Sequence, residues 1–180
     1  RLQGDWSSDV CSSDLQVSIN TSPSHYFNLE SNITQWLNLL LDQKISARSI
    51  LLEVTENLLM EANEMVSKKL FQFRQAGVDI ALDDFGTGYS SISYLKRFPT
   101  DFIKIDRSFV KSMTDVSNDK VLCEAIIVMA NKLGIKVVAE GVETQEQYDI
   151  LKSMGCDYAQ GYFIAKPLSK SDFESFWERH

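Results

Sequence analysis

From Gln16 onward, six short apolar runs alternate with longer amphipathic segments, and this alternation limits the chain to few architectures. The runs span 17–20, 50–55, 78–83, 102–105, 136–139 and 158–160. Between them, Ile33, Trp36, Leu37, Leu40 and Leu41 fall on one helical stripe. Leu122, Ala125, Ile126, Met129, Ala130 and Leu133 repeat that spacing, and Gly134 follows as a helix stop. Gly77 and Gly155 stand similarly after segments 59–76 and 145–154. A last helix is expected from a Ser171-x-x-Glu174 capping box, burying Phe173, Phe176 and Trp177. Strand–helix alternation means parallel strands joined by right-handed crossovers. Runs such as Ile80-Ala81-Leu82 and Val137-Val138-Ala139 predict strands covered on both faces, with Asp79 an exception near a strand start that solvent can reach.

Polar residues gather where these runs stop. Five runs end in or just before a potential ligand: Asn20; Glu53 and Glu56; Asp83 and Asp84; Glu140; and Gln160. The sixth carries Lys104 within it and Asp106 after it. In a (β/α)8 barrel every C-terminal strand end opens on one mouth, so residues distant in sequence converge there. This placement favours a modified (β/α)8 TIM-type barrel over an open doubly wound sheet, with about six of eight strands present. A complete barrel takes roughly 250 residues, and this chain has 180.

A net charge of −7 disfavours a nucleic-acid polymer as partner, because no broad basic face can be built. No stretch approaches the roughly 20 apolar residues of a membrane span, and no secretory signal is visible. The segment is thus expected to make no membrane contact and to lie in the cytoplasm, alone or as the cytoplasmic part of a larger membrane-anchored protein. Cys11, Cys123 and Cys156 form no CxxC pair, which predicts reduced thiols rather than a zinc site or disulfides. Residues 1–15 differ from the rest. They contain Ser-Ser-Asp twice, have no apolar period, and resemble the conceptual translation of a sequencing adapter. They are read as a non-native segment with no part in the fold, leaving 16–180 as a partial domain whose N-terminal portion is missing.

The strand ends carry the chemistry. Adjacent carboxylates at Asp83 and Asp84 can bridge two divalent cations, or they can form a solvated turn with a helix cap. The segment Phe85-Gly86-Thr87-Gly88 behind them can fold tightly against a site. Glu53 lies among leucines, where an unpaired carboxylate would cost several kcal/mol, so it must be paired or metal-bound. Glu56 is then a loop anchor, or a rim residue facing solvent. Lys104, alone in a buried run, should point at carboxylates or a phosphate, or form a structural ion pair. Glu140 suits metal ligation or proton abstraction, Glu143 equally a helix cap or the site, and Gln160 hydrogen bonding to substrate. Asp106 reads as a cap. His25 and His180 read as surface or terminal residues.

Taken together, the motifs Ser18-Ile19-Asn20, Glu53-Val54-Thr55-Glu56, Asp83-Asp84-Phe85-Gly86-Thr87-Gly88, Lys104-Ile105-Asp106, Ala139-Glu140-Gly141-Val142-Glu143 and Gln160-Gly161-Tyr162 resemble the EAL-domain family of bacterial cyclic di-GMP phosphodiesterases. The resemblance runs from about Gln16 to the C-terminus. It implies a hydrolase that uses Mg2+ or Mn2+, in a two-metal site, to open cyclic di-GMP to linear pGpG. It also implies Asn20, Glu53, Asp83 and Asp84 as metal ligands, and Glu140 as general base or second-metal ligand. Lys104 would position water or stabilise phosphate charge. Glu56 would hold the loop after Asp84, which implies a homodimer through that loop, and Glu143 and Gln160 would complete the polar wall. The Glu-Ala-Leu signature that names the family occurs nowhere in the chain, so the chain by itself is expected to be inactive. The competing reading is a non-catalytic cyclic di-GMP-binding module. Such degenerate relatives usually lose carboxylates around the site, whereas every downstream one is present.

Overall fold

The computed structural model describes residues 4–5, 15–27, 33–60, 64–87, 95, 97–113 and 117–179. Of the residues read above, Cys11, Gly88, His180 and the two Ser-Ser-Asp repeats lie outside them, as does the His25 side chain. Every expected strand is present. β1 is Gly4–Asp5, β2 Val17–Asn20, β3 Ile50–Thr55, β4 Asp79–Phe85, β5 Phe102–Ile105, β6 Lys136–Glu140 and β7 Tyr158–Gln160. They lie side by side in the order β1-β7-β6-β5-β4-β3-β2, with β2 to β7 parallel. This is a curled six-strand parallel sheet, a half-barrel rather than an open doubly wound sheet.

Two-sided burial explains the continuous apolar runs. On the concave face, Leu51, Ala81, Phe102 and Val138 form one layer with Tyr158 against it. On the convex face, Val54, Ile80, Leu82, Ile103, Ile105, Val137, Ala139 and Ala159 belong to the main core with Val66, Leu70, Val110, Cys123, Ile127 and Leu151. Those last residues come chiefly from helices: α1 is Pro23–Phe27, α2 Ile33–Asp42, α3 Glu56–Met60, α4 Glu64–Gln75, α5 Arg107–Lys111, α6 Asn118–Leu133, α7 Gln145–Ser153 and α8 Lys170–Trp177. Side chains alternate across a strand, so moving two residues along each strand from the Leu51 layer reaches Glu53, Asp83, Lys104, Glu140 and Gln160. The concave face is apolar at one level and polar at the next.

Several expectations are corrected. Gly4–Asp5 pairs antiparallel with β7, with Gly4 opposite Ala159. An exposed strand edge pairs through its backbone whatever the side chains, so a segment with no apolar period can still add to it. The α8 cap is Ser169, whose hydroxyl accepts from the Asp172 N–H, and Ser171 lies inside the helix. Phe173, Phe176 and Trp177 are only partly buried there. In α6 the buried residues are Cys123, Ile127 and Ala130, while Leu122 and Leu133 from the expected stripe are exposed. Gly134 ends that helix in the left-handed conformation, as its position suggested.

Candidate metal centre

Lys104 sits at the middle of the polar layer with no exposure. Its Nζ lies 2.8 Å from Glu53 Oε1, 2.9 Å from Asp83 Oδ1 and 2.6 Å from Glu140 Oε1. An ammonium has three N–H donors, and three strands supply one carboxylate each. Burial alone would push this lysine's pKa down. The charge of Glu140, with hydrogen bonds to Glu140 and Glu53, outweighs burial and holds it above its ordinary value. Lys104 is therefore charged.

A bulge places the two aspartates. Ala81 and Leu82 pair with Phe102 and Ile103, but the next partner of Ile105 is Phe85, so β4 carries one extra residue at this point. Consecutive residues of a regular strand would face opposite sides. Here Asp84 takes φ 54°, a left-handed conformation uncommon for a residue with a Cβ. The result is that carboxylate oxygens of Asp83, Asp84 and Glu140 lie within 4.8 Å of one another, the one such acidic group among the described residues. Bulges and strained residues concentrate at functional sites, and this one turns a successive pair of side chains to a common point.

The remaining expected residues fall around that point. Asn20 pairs in register with Glu53 at the end of β2, on the same face. Glu56 is buried as the first residue of α3, directly after β3. Phe85 is buried, and the Thr87 N–H and hydroxyl both bond the Asp84 carbonyl at 3.3 and 2.9 Å, folding the loop back on the aspartate. Gln160 pairs in register with Glu140, and its buried Oε1 makes no hydrogen bond among the described residues. It borders a cavity of ≈ 540 Å³ shared with Gln16, Val17, Tyr162 and Lys166. Glu143 is exposed and does not cap α7; Thr144 does, in a full capping box with Gln147. Asp106 caps α5 through the Ser108 N–H. Cys123 and Cys156 are free and buried, their thiols pushed up to about 11 and about 12, chiefly by burial, which keeps them inert.

The donor set fits a hard divalent cation. The carboxylates and an amide oxygen from Asn20 are all oxygen donors, which suit Mg2+ or Mn2+ rather than zinc. Four carboxylates also outnumber the one ammonium, leaving negative charge for a cation to balance. Sequence reasoning quoted Gly141 and Gly161, which border Glu140 and Gln160, within motifs but gave them no role of their own. Their signal, a glycine directly after each strand-end residue, was present.

Comparison with known proteins follows the same lines. A family model described as the EAL domain matches residues 2–167. The chain is 40% identical over 162 residues to the cyclic di-GMP phosphodiesterase NbdA of Pseudomonas aeruginosa, covering 90% of the chain and 21% of that protein. It is 35% identical to the cyclic di-GMP phosphodiesterase PdeR of Escherichia coli, covering 93% of the chain and 25% of that protein. The chain thus spans about a fifth to a quarter of the length of these curated relatives. Among solved structures, the PaMucR phosphodiesterase in complex with c-di-GMP has a TM-score of 0.83 at 34% identity, covering 90% of this chain and 65% of that one. BlrP1 of Klebsiella pneumoniae, with manganese and cyclic di-GMP, has a TM-score of 0.78 at 34% identity, covering 86% and 39%.

Proposed function

The chain belongs to the EAL-domain family, and on that premise we propose that the protein containing it hydrolyses cyclic di-GMP to linear pGpG with the help of Mg2+ or Mn2+. The observation that carries this reading is the convergence of Asp83, Asp84 and Glu140 within 4.8 Å beside a charged, fully buried Lys104. A divalent cation bound there would neutralise phosphate charge and make water a stronger nucleophile at neutral pH. Asp83, Asp84, Asn20 and Glu53 would hold it, with Glu140 beside them. Glu140, partly open to solvent and adjacent to the Asp pair, is suited to take the proton from the attacking water. The expected role of Lys104 on water or phosphate gives way in this proposal to a positioning one, since its ammonium is fully buried among three carboxylates that it would space. Gln160 would accept a hydrogen bond from substrate or water. The reading as a binding-only module rests on the absent Glu-Ala-Leu glutamate alone, while the downstream carboxylates that such a module would lose are all present. Residues 1–15 as foreign sequence, and inactivity of the isolated chain for want of a Glu-Ala-Leu glutamate, belong to the same proposal. Among the described residues no helix is long and apolar enough to cross a membrane.

Metal dependence is the direct test. In the full-length protein, chelator should abolish release of pGpG, and Mg2+ or Mn2+ should restore it. Full turnover in excess chelator would overturn the reading.

A homodimer through the loop after Asp84 is part of this proposal. Gly86, at the start of that loop, approaches Phe109 of α5 and Ile126 of α6. Nearby on α6, Val121, Leu122 and Val128 are exposed, offering apolar surface for a second copy. Glu56→Ala should lower turnover and shift the monomer–dimer balance toward monomer while the melting curve stays cooperative. Unchanged turnover together with unchanged mass by light scattering would remove Glu56 from this role.

A further inference from the structure

Three strand-end loops are locked to one another by close approach, and the locking residues are glycines. A Cβ on Gly161 would stand 2.1 Å from the Val142 carbonyl oxygen and 2.3 Å from the Val142 nitrogen. No rotation of a side chain relieves that, because the obstacle is backbone. A Cβ on Gly141 would stand 2.6 Å from Arg107 Cβ and 3.3 Å from its Cα, and Gly141 also has φ +71°. The loop after β7 therefore rests on the loop after β6, which rests on the first residue of α5 after β5.

Hydrogen bonds close the same chain of contacts. The Val142 N–H donates to the Gln160 carbonyl at 3.0 Å, and the Phe163 N–H donates to the Val142 carbonyl at 3.0 Å. Gln147 accepts from the Glu143 and Thr144 N–H groups and donates to the Val110 carbonyl in α5 at 3.2 Å. Val142 itself is fully buried, so this belt has a fixed anchor. Lys104, Glu140 and Gln160 are each attached to one of the three loops within three residues.

We infer that Gly141 and Gly161 are positioning residues, whose missing side chains set the spacing of Glu140 and Gln160 around Lys104 and the aspartate pair. This rests on the metal-site reading above. A Cβ at either position must displace a loop, by roughly an ångström or more to relieve the 2.1 Å approach at Gly161, and ligand groups held even about 0.5 Å from their productive geometry lose function. The displacement falls on one residue's neighbour: Gln160 for Gly161→Ala, Glu140 for Gly141→Ala. Because the clash at Gly141 is chiefly with a side-chain atom, deleting the Arg107 side chain should relieve it.

The test measures Mn2+ affinity in the full-length protein, from free Mn2+ by electron paramagnetic resonance, with thermal melts in parallel. Gly161→Ala and Gly141→Ala should each weaken Mn2+ binding by about 10- to 100-fold, the range for residues that orient ligands. Gly134→Ala is the control: it carries the same kind of positive φ, +72°, with nothing within 4 Å of its Cβ position. It should lower the melting temperature and leave Mn2+ affinity alone. Adding Arg107→Gly to Gly141→Ala should recover most of the affinity, although the φ strain remains. If Gly161→Ala fails to fold, the Gly141–Arg107 pair decides the matter. Glycine variants that melt lower but bind Mn2+ within about twofold of wild type would overturn the inference and leave the metal site standing. A wild-type protein that does not bind Mn2+ would take down the metal reading and this inference with it.

Discussion

Lys104→Met should lower the melting temperature in chelator by roughly 6–20 °C, and Mn2+ should recover a large part of the loss. The substitution keeps the length of the side chain and removes its charge. Glu53, Asp83 and Glu140 then remain within a few ångströms of the same point, with side-chain exposures of 0%, 11% and 14%. Removing one partner of a buried ion pair costs about 3–5 kcal/mol, because the opposite charge is left uncompensated. That is a large share of the roughly 5–15 kcal/mol that holds an ordinary domain together. For 150–250 residues each kcal/mol moves the midpoint by about 2–4 °C. A divalent cation offers the missing positive charge to the same oxygens, so the variant should gain more from Mn2+ than wild type does. The folded pKa of Lys104 is raised from 10.5. Its contribution is therefore complete below the unfolded value and fades only as pH rises through the higher folded value. The difference between variant and wild type should stay flat across neutral pH for that reason. A loss below about 2 °C in chelator would show that the three carboxylates do not depend on this ammonium.

That triple contact was only half legible in the sequence. A lysine within Phe102-Ile103-Lys104-Ile105 had to find carboxylates, and the carboxylates stood at other strand ends. Which three it meets depends on β3, β4, β5 and β6 being sheet neighbours in that order, and periodicity carries no strand order. The strands themselves were easy to read because burial on both faces leaves unbroken apolar runs. The end of β4 was not, since a bulge and a left-handed Asp84 leave no mark in the apolar pattern. α6 misled for a different reason. Apolar residues lie on nearly all its sides, so two stripes have helical spacing, and only the sheet beneath decides that Cys123, Ile127 and Ala130 go inside. At α8, two serines compete for the cap. Ser169 prevails, because its hydroxyl donates to the Asp172 carboxylate and accepts from the Asp172 N–H.

In the full-length protein, Glu140→Gln should cut hydrolysis of cyclic di-GMP by about 10²- to 10⁴-fold, the usual contribution of a positioned acid–base group. The amide keeps the shape and one acceptor oxygen of the carboxylate, but it cannot take a proton from water. Stability should behave in the opposite sense to the Lys104 variant. Lys104 retains Glu53 and Asp83 at 2.8 and 2.9 Å, while the crowded site loses one of its negative charges. The melting temperature in chelator should therefore hold or rise. Mn2+ affinity should fall, since one of the three clustered carboxylates no longer attracts a cation. Cyclic di-GMP binding by calorimetry in Ca2+ should persist within a few-fold, because on the proposed reading Glu140 would be one group among several lining the site. The combination separates the two functional classes. A hydrolase loses turnover and keeps ligand, whereas a binding-only module has no turnover to lose in either form. Turnover within about threefold of wild type would remove Glu140 as the base and shift that role to the Asp83–Asp84 pair.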